Sequence, residues 1–428
     1  MDFGSLSDWF SARRKMLVLL ALTAVAYLAA INRAQAFMWA IAALLSATLI
    51  TGFTWPRWLV KQLSVSRSGP GRAEEGETIE FQVVVENRGW LPRFMVELVD
   101  HLPFVGFAEA RGETDEKVLG MLAYLPGRKR QQFTVPVLCE KRGYYRLGPV
   151  GLASSFPLGL TEAKLSRNEG LQTLTIYPDV FALLSLPLHG APSQIHRGGY
   201  LLPEGAGAAE FSGLREYRRG DNPRHVHWPT TARLNELMVR EYEPLASACL
   251  YIALDQAAEA NVGIGRQSTF EYAVRIAASI ARSACAQSTR TRIAGDGQRA
   301  LRGLAGSGDG HFQGILDELA VIASDGTIPY AHLLTEIGPH CLRGETVVVF
   351  LSEKSTRWAQ TLQALAMLRA RQAHLFAVVF DQPTFLPEDV PVSGLLPDHA
   401  EITAALLELG AYCVTVRQGD DLVRLFNS

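Results

Sequence analysis

The hydrophobic pattern changes period twice along the chain, and each change marks a different kind of structure. Residues 16–31 and 36–53 contain no charged side chain, and only four residues separate them. A bilayer core of about 30 Å takes roughly 20 helical residues. The two runs therefore predict a transmembrane hairpin within residues 1–61, with spans at about 16–32 and 35–54. A cleavable signal peptide would explain the first run alone. It has no small-residue exit followed by a soluble sequel, because a second apolar run follows at once.

From residue 62 the period becomes two. Ile79, Phe81, Val83 and Val85 alternate with Glu80, Gln82 and Glu86, as expected of a half-buried strand. Phe133, Val135 and Val137 repeat the pattern. Further strands are predicted at 63–67, 93–99, 117–124, 143–150 and 171–177, with turn residues at 68–71, 87–89 and 126–129. Short strands at near-regular spacing predict an antiparallel β-sandwich over 62–180. Pro136 must then lie on an edge strand or at a bulge. Residues 181–211 lack core periodicity and read as a linker.

Beyond 248 strands and helices alternate. The strands 248–254, 290–294, 346–351, 374–380 and 412–417 are nearly continuous apolar runs, as in sheets covered on both faces. Helices are predicted at 269–286, 312–323, 356–371, 399–409 and 420–426. Ser268 and Glu271 form a capping box for the first, and Gly410 stops the fourth. This alternation predicts a parallel, doubly wound α/β sheet over 248–428.

Composition adds limits. A chain of 428 residues exceeds one compact core. A formal net charge of −2 excludes a general nucleic-acid binder. The five cysteines are odd in number and scattered, without a C-x-x-C pair, which argues against disulfides and structural zinc and fits a reducing compartment. Arg13, Arg14 and Lys15 precede the first span, Arg57 and Lys61 follow the second, and the turn carries only Arg33. Basic flanks stay cytoplasmic, so the expectation is a multi-pass inner-membrane protein whose soluble part faces the cytoplasm.

The densest chemistry lies in residues 212–247. Arg215, Arg218, Arg219 and Arg224 fall within ten residues, beside Gly220, Asp221, His225, His227 and Trp228, with Arg233 following. A structural reading makes 220–223 a turn, has Asp221 accept from Arg224 or Arg233, buries Trp228 as a core anchor, and makes 236–243 an edge strand. A recognition reading assigns the arginines to a carboxylate- or phosphate-bearing partner. His225 and His227 share a strand face but lack a placed third metal ligand.

Residues 219–228 with the Ala232–Arg233 pair resemble the signature of a bacterial family known as domain of unknown function 58. Phe156–Leu160 is similar to a P-F-G-L-like turn of that family. The C-terminal order resembles a von Willebrand factor A domain, which the family carries there. Such domains hold a metal through D-x-S-x-S after the first strand, and here Asp255, Ala257 and Glu259 stand at those positions. Ser352 and Glu353 follow the 346–351 strand where an aspartate is expected. With two hydroxyl ligands missing, the site looks eroded, and no metal or other cofactor is expected. Asp255, Glu259 and Glu353 are the remaining oxygen donors.

The resemblance also implies a partner, a MoxR-type AAA+ ATPase. The expected function is that of a membrane-anchored, non-enzymatic adaptor. It contacts the lipid bilayer through the hairpin and another protein through Arg215, Arg218, Arg219, Gly220, Asp221, Arg224, His227, Trp228 and Arg233. The rival is a metal-dependent ligand binder or hydrolase using the sheet-end carboxylates and the His225/His227 pair.

Overall fold

The computed structural model describes residues 3–33, 35–106, 116–166, 171–184, 210–217, 226–234, 236–243, 249–352, 355–386 and 399–427. The chain divides into two compact units, Met1–Tyr177 and Pro178–Ser428.

The first unit opens with helices α1 (Phe3–Arg33) and α2 (Ala36–Val60). Both contain a stretch long and apolar enough to cross a membrane, Arg14–Asn32 and Ala36–Val60. Only 11% of either stretch is buried, whereas a helix of this composition in a soluble protein belongs inside a core. Tyr27 meets Trp39 edge to face at 6.1 Å, and the Ser46 hydroxyl donates to the Tyr27 hydroxyl at 3.0 Å. These contacts join the two helices.

Ten strands follow: β1 (Leu63–Ser68), β2 (Arg72–Glu74), β3 (Thr78–Asn87), β4 (Arg93–His101), β5 (Glu116–Leu125), β6 (Arg130–Leu138), β7 (Gly143–Leu147), β8 (Gly151–Ser154), β9 (Ala163–Ser166) and β10 (Gln172–Tyr177). They form sheets ordered β1-β3-β6, β2-β10-β7 and β5-β4-β8-β9. The alternation read from sequence is the burial pattern of β3, with Ile79, Phe81, Val83 and Val85 inside. Pro136 sits opposite Glu80 on β6, an edge strand. The short strands β2 and β9 have no counterpart in the sequence reading, and two further details differ. The expected strand 143–150 is divided into β7 and β8 around Gly148–Pro149, since proline cannot donate to a ladder. The pair β2–β10 is parallel.

All three sheets feed one apolar core that includes Phe81, Val96, Leu98, Leu152 and Leu174. Within it, Arg67 of β1 is ion-paired to Asp100 of β4, and both side chains are fully buried. Burial pushes the Asp100 carboxyl up, and the Arg67 guanidinium offsets part of that shift. Arg93 of β4 ties the end of α2 to the strands. Its guanidinium lies 4.1 Å from the Trp58 ring centre and donates to the Lys61 carbonyl at 3.0 Å.

The second unit begins with β11 (Glu210–Glu216), α3 (Trp228–Leu234) and β12 (Met238–Glu243). Then come β13 (Cys249–Leu254), α4 (Thr269–Ala286), β14 (Arg290–Gly295), β15 (Leu301–Arg302), α5 (Asp309–Val321), α6 (Tyr330–Ile337), β16 (Thr346–Leu351), α7 (Ser355–Ala370), β17 (His374–Phe380), α8 (His399–Glu408), β18 (Tyr412–Val416) and α9 (Leu422–Asn427). The six-stranded sheet has the order β15-β14-β13-β16-β17-β18. Its strands are parallel except for β15 at the edge. β13 and β16 are buried throughout, as their unbroken apolar runs require.

Helices cover both faces. On one, Tyr251, Val349 and Ala377 pack with Leu334 of α6, Leu365 of α7 and Leu406 of α8. On the other, Phe376 stacks on Phe426 of α9, while Phe385 bridges Phe380 and Tyr272 of α4. The Ser268 hydroxyl caps α4 by accepting from the Glu271 N–H at 3.3 Å, and Gly410 follows α8 at φ +70°, a conformation glycine adopts without strain. All five cysteines are free. Burial raises the thiols of Cys139 and Cys341 to about 12 and that of Cys249 to about 11, so they stay protonated and inert at neutral pH.

Candidate functional site

The described residues of this segment, 210–217, 226–234 and 236–243, gather on β12. β11 pairs with β12 antiparallel, with Arg215 opposite Val239. Val226 bridges the same Val239, and both valines are buried. His227 joins this small platform to α3. Its N–H donates to the Met238 carbonyl at 2.8 Å, and its own carbonyl accepts from the N–H groups of Thr230 and Thr231. The ring Nδ1 lies 2.8 Å from the Thr230 hydroxyl. The Thr231 hydroxyl accepts from the Met238 N–H at 3.0 Å. His227 thus serves as the N-terminal cap of α3.

One expectation about this segment fails. Trp228 is no core anchor, because 65% of it is exposed. Leu234 at 57% and Leu237 at 46% are exposed with it, and α3 buries none of its residues. Arg233 is exposed on the same helix. The reason is geometric. α3 is held by hydrogen bonds of His227 and Thr231 to β12, so its apolar side chains are not needed to attach it. Arg218, Arg219, Gly220, Asp221, Arg224 and His225 lie outside the described residues, and Arg215 is placed only by its strand register.

The C-terminal ends of the parallel strands form the second place to look, because ligands of open α/β sheets bind where the strand order reverses. Here that point lies between β13 and β16. Their pairing ends at Ala253–Val349, while β13 stays paired to β14 as far as Leu254. The phenol of Tyr330, from α6, fills the opening. Its hydroxyl donates to the Ala253 carbonyl at 2.7 Å and accepts from the Phe350 N–H at 3.3 Å.

Two of the carboxylates near this point have oxygens engaged by the protein itself. Asp255 Oδ1 accepts from the Ala257 N–H at 3.0 Å, a turn-closing bond. Glu259 is exposed and faces Arg357 at 3.4 Å. Glu353 lies outside the described residues. The loop after β13 is laced to residues 323–326. The Gly326 N–H donates to the Gln256 carbonyl at 2.8 Å, and the Ala258 N–H donates to the Gly326 carbonyl at 2.9 Å. A Cβ on Gly326 would stand 2.3 Å from the Asp296 carbonyl oxygen, so only glycine permits this approach. Among the described residues, Asp255 and Glu259 belong to no group of three or more side chains close enough to hold one ion.

A cluster that sequence reading missed stands at the end of β14. Ligand atoms of Asp296, His332 and Glu336 lie within 4.8 Å of one another. His332 Nδ1 is 3.5 Å from Asp296 Oδ2. His332 and Glu336 are four apart on α6, one above the other on a helix face, a spacing visible in the sequence. The cation between the carboxylates is Arg302, whose guanidinium pairs with Asp296 and reaches Glu336 at 2.9 Å. The cluster is an ion-pair network closed by a guanidinium.

Residues 213–402 match the profile of the family described as protein of unknown function DUF58, which bears out the resemblance read from residues 219–233. An uncharacterized protein, YeaD, of Bacillus subtilis (strain 168) is 29% identical over 138 residues. That alignment covers 32% of this chain and 33% of the relative, so the chain spans about a third of that relative's length. Among solved structures, the CARDB domain of the PF1109 protein from Pyrococcus furiosus aligns with 14% identity and a TM-score of 0.19, covering 27% of this chain and 91% of that one. A beta-glucosidase from Listeria innocua aligns with 8% identity and a TM-score of 0.18, over 27% of this chain and 16% of that one. Scores this low say nothing about the fold.

Proposed function

We propose, with the family match over residues 213–402 as the premise, that this chain is a membrane-anchored docking protein and not an enzyme. The observation that carries the reading is the exposure of Trp228, Leu234 and Leu237, in and just after α3, with exposed Arg233 next to Leu234, set in the segment richest in arginine. Tryptophan and arginine are the residues that most often dominate binding energy at protein interfaces. Three large apolar side chains left exposed within ten residues are more than scattered single exposures and suit an interaction surface.

The surrounding parts fit an adaptor. The two apolar helices anchor it in the inner membrane as a multi-pass protein. The basic flanks Arg13, Arg14, Lys15, Arg57 and Lys61 against the single Arg33 put both ends in the cytoplasm. We read the strand-rich unit as a β-sandwich spacer. The six-stranded sheet, with helices on both faces and an antiparallel edge, we read as a von Willebrand factor A-like domain. The partner is a MoxR-type AAA+ ATPase, the class that the family resemblance implies.

The metal-dependent alternative has less support, since Asp255 closes a turn, Glu259 faces Arg357, and the Asp296 cluster already holds a guanidinium. Co-purification from detergent tests the docking reading. The wild-type chain is expected to retain the ATPase, and Trp228→Ala and the triple variant Arg218→Ala, Arg219→Ala, Arg224→Ala to lose it. Trp228 is largely exposed, so its truncation is expected to change stability by no more than about 0.5 kcal/mol. Loss of the partner with unchanged melting supports recognition. Retention by all variants contradicts it.

A further inference from the structure

The turn between β8 and β9 is apolar where a soluble loop is polar. It reads Phe156-Pro157-Leu158-Gly159-Leu160, and Phe156 and Leu158 are exposed. The Gly159 N–H donates to the Ser155 carbonyl at 2.8 Å, and Gly159 itself sits at φ +61°, which closes the turn tightly.

This turn reaches α2. The Thr161 hydroxyl donates to the Gly52 carbonyl at 2.7 Å. Leu160 lies so close to Gly52 that a Cβ there would stand 2.6 Å from Leu160 Cδ1 and 3.3 Å from its Cβ. Gly52 precedes Trp55, Arg57 and Trp58 in α2. Aromatic and basic residues of that kind mark the membrane–water boundary of a spanning helix. Gly52 is three residues further into the span than Trp55, about 4.5 Å along the axis. Leu160, at the end of the turn, therefore stands at the depth of the hydrocarbon edge.

A groove of about 350 Å³ runs between the tip and both helices, lined by Met16, Leu20, Leu49, Phe53, Leu160 and their neighbours. Its walls are almost wholly apolar and continue the exposed apolar surface of α1 and α2. We propose that the Phe156–Leu160 tip is a third point of membrane insertion and that the groove behind it takes up a lipid acyl chain. The inference rests on the reading of α1 and α2 as membrane spans. Gly52 is its positioning residue, since any larger side chain pushes Leu160 away.

The test places a bimane label on the full chain at one of three sites, in nanodiscs of phosphatidylcholine brominated along the acyl chains. The sites are Leu158→Cys in the tip, Leu44→Cys on the exposed face of α2, and Glu80→Cys on an exposed strand position. The thiols of Cys139, Cys249, Cys285 and Cys341 resist labelling through burial, and the half-buried Cys413 is replaced by Ala. Quenching at Leu158 is expected to reach at least about half that at Leu44, as for side chains sunk at the acyl boundary, with none at Glu80. Adding Gly52→Val is expected to lower quenching at Leu158 and leave Leu44 unchanged. Quenching at Leu44 with none at Leu158 overturns this proposal alone. No quenching at Leu44 overturns the membrane-span reading, and the insertion falls with it. Quenching at Leu158 that Gly52→Val leaves untouched overturns the positioning role of Gly52.

Discussion

Replacing Arg67 by Ala is expected to cost the strand unit about 3–5 kcal/mol, the range for breaking one partner out of a buried ion pair. Arg67 and Asp100 are fully buried and join β1 to β4, strands of two different sheets. Removing the guanidinium leaves a carboxylate in an apolar core, and it also removes the cation 5.1 Å from the Phe81 ring centre. The loss is measured as the denaturant midpoint of the unit in detergent. Its pH dependence identifies the cause. Burial already raises the Asp100 carboxyl in the wild type, so the folded state takes up this proton before the unfolded state does. Without Arg67 the rise is larger. The deficit of the variant is therefore expected to shrink as pH falls through the folded pKa of Asp100, because the neutral acid needs no partner. A deficit that stays constant on acidification would mean lost packing and not a stranded charge.

Truncating Tyr330 to Ala is the second large effect, about 3–5 kcal/mol for an aromatic side chain in a core. Tyr330 is 2% exposed and belongs to the core face shared with α6, α7 and α8. Its hydroxyl also serves the Ala253 carbonyl and the Phe350 N–H where β13 and β16 part. Tyr330→Phe keeps the ring and strands both backbone groups. It is expected to cost about 1–3 kcal/mol and to speed hydrogen exchange of the Phe350 amide. If Tyr330→Phe proves neutral, the opening between these strands is not sealed by the phenol, and the switch point becomes available to a ligand.

Much of the fold was legible because its cause is local. Alternation in β3 and unbroken apolar runs in β13, β16 and β17 dictate which faces are covered. The capping of α4 by Ser268 and the stop at Gly410 are chemistry of a few adjacent residues. α6 went unread although Tyr330, Leu333, Leu334 and Ile337 hold helical spacing. It is eight residues long, and the residue before it is Pro329, which caps nothing with a side chain. α3 has no buried face at all, so no hydrophobic period announces it. The structural reading that buries Trp228 fails because residue type predicts burial only on average, while the attachment of α3 runs through hydrogen bonds of His227 and Thr231. The Asp296, His332, Glu336 and Arg302 cluster joins β14, β15 and α6, which no short-range spacing reveals beyond the pair on one helix.

Docking requires another protein to cover the exposed side chains of α3. A photo-reactive benzoylphenylalanine placed at Leu234 of the full chain, irradiated in native membranes, tests this most directly. The prediction is one discrete protein adduct whose mass spectrum identifies an AAA+ ATPase, abolished when Trp228→Ala is combined with the label. A label at Leu234 that yields no protein adduct in membranes holding the full-length chain would contradict it.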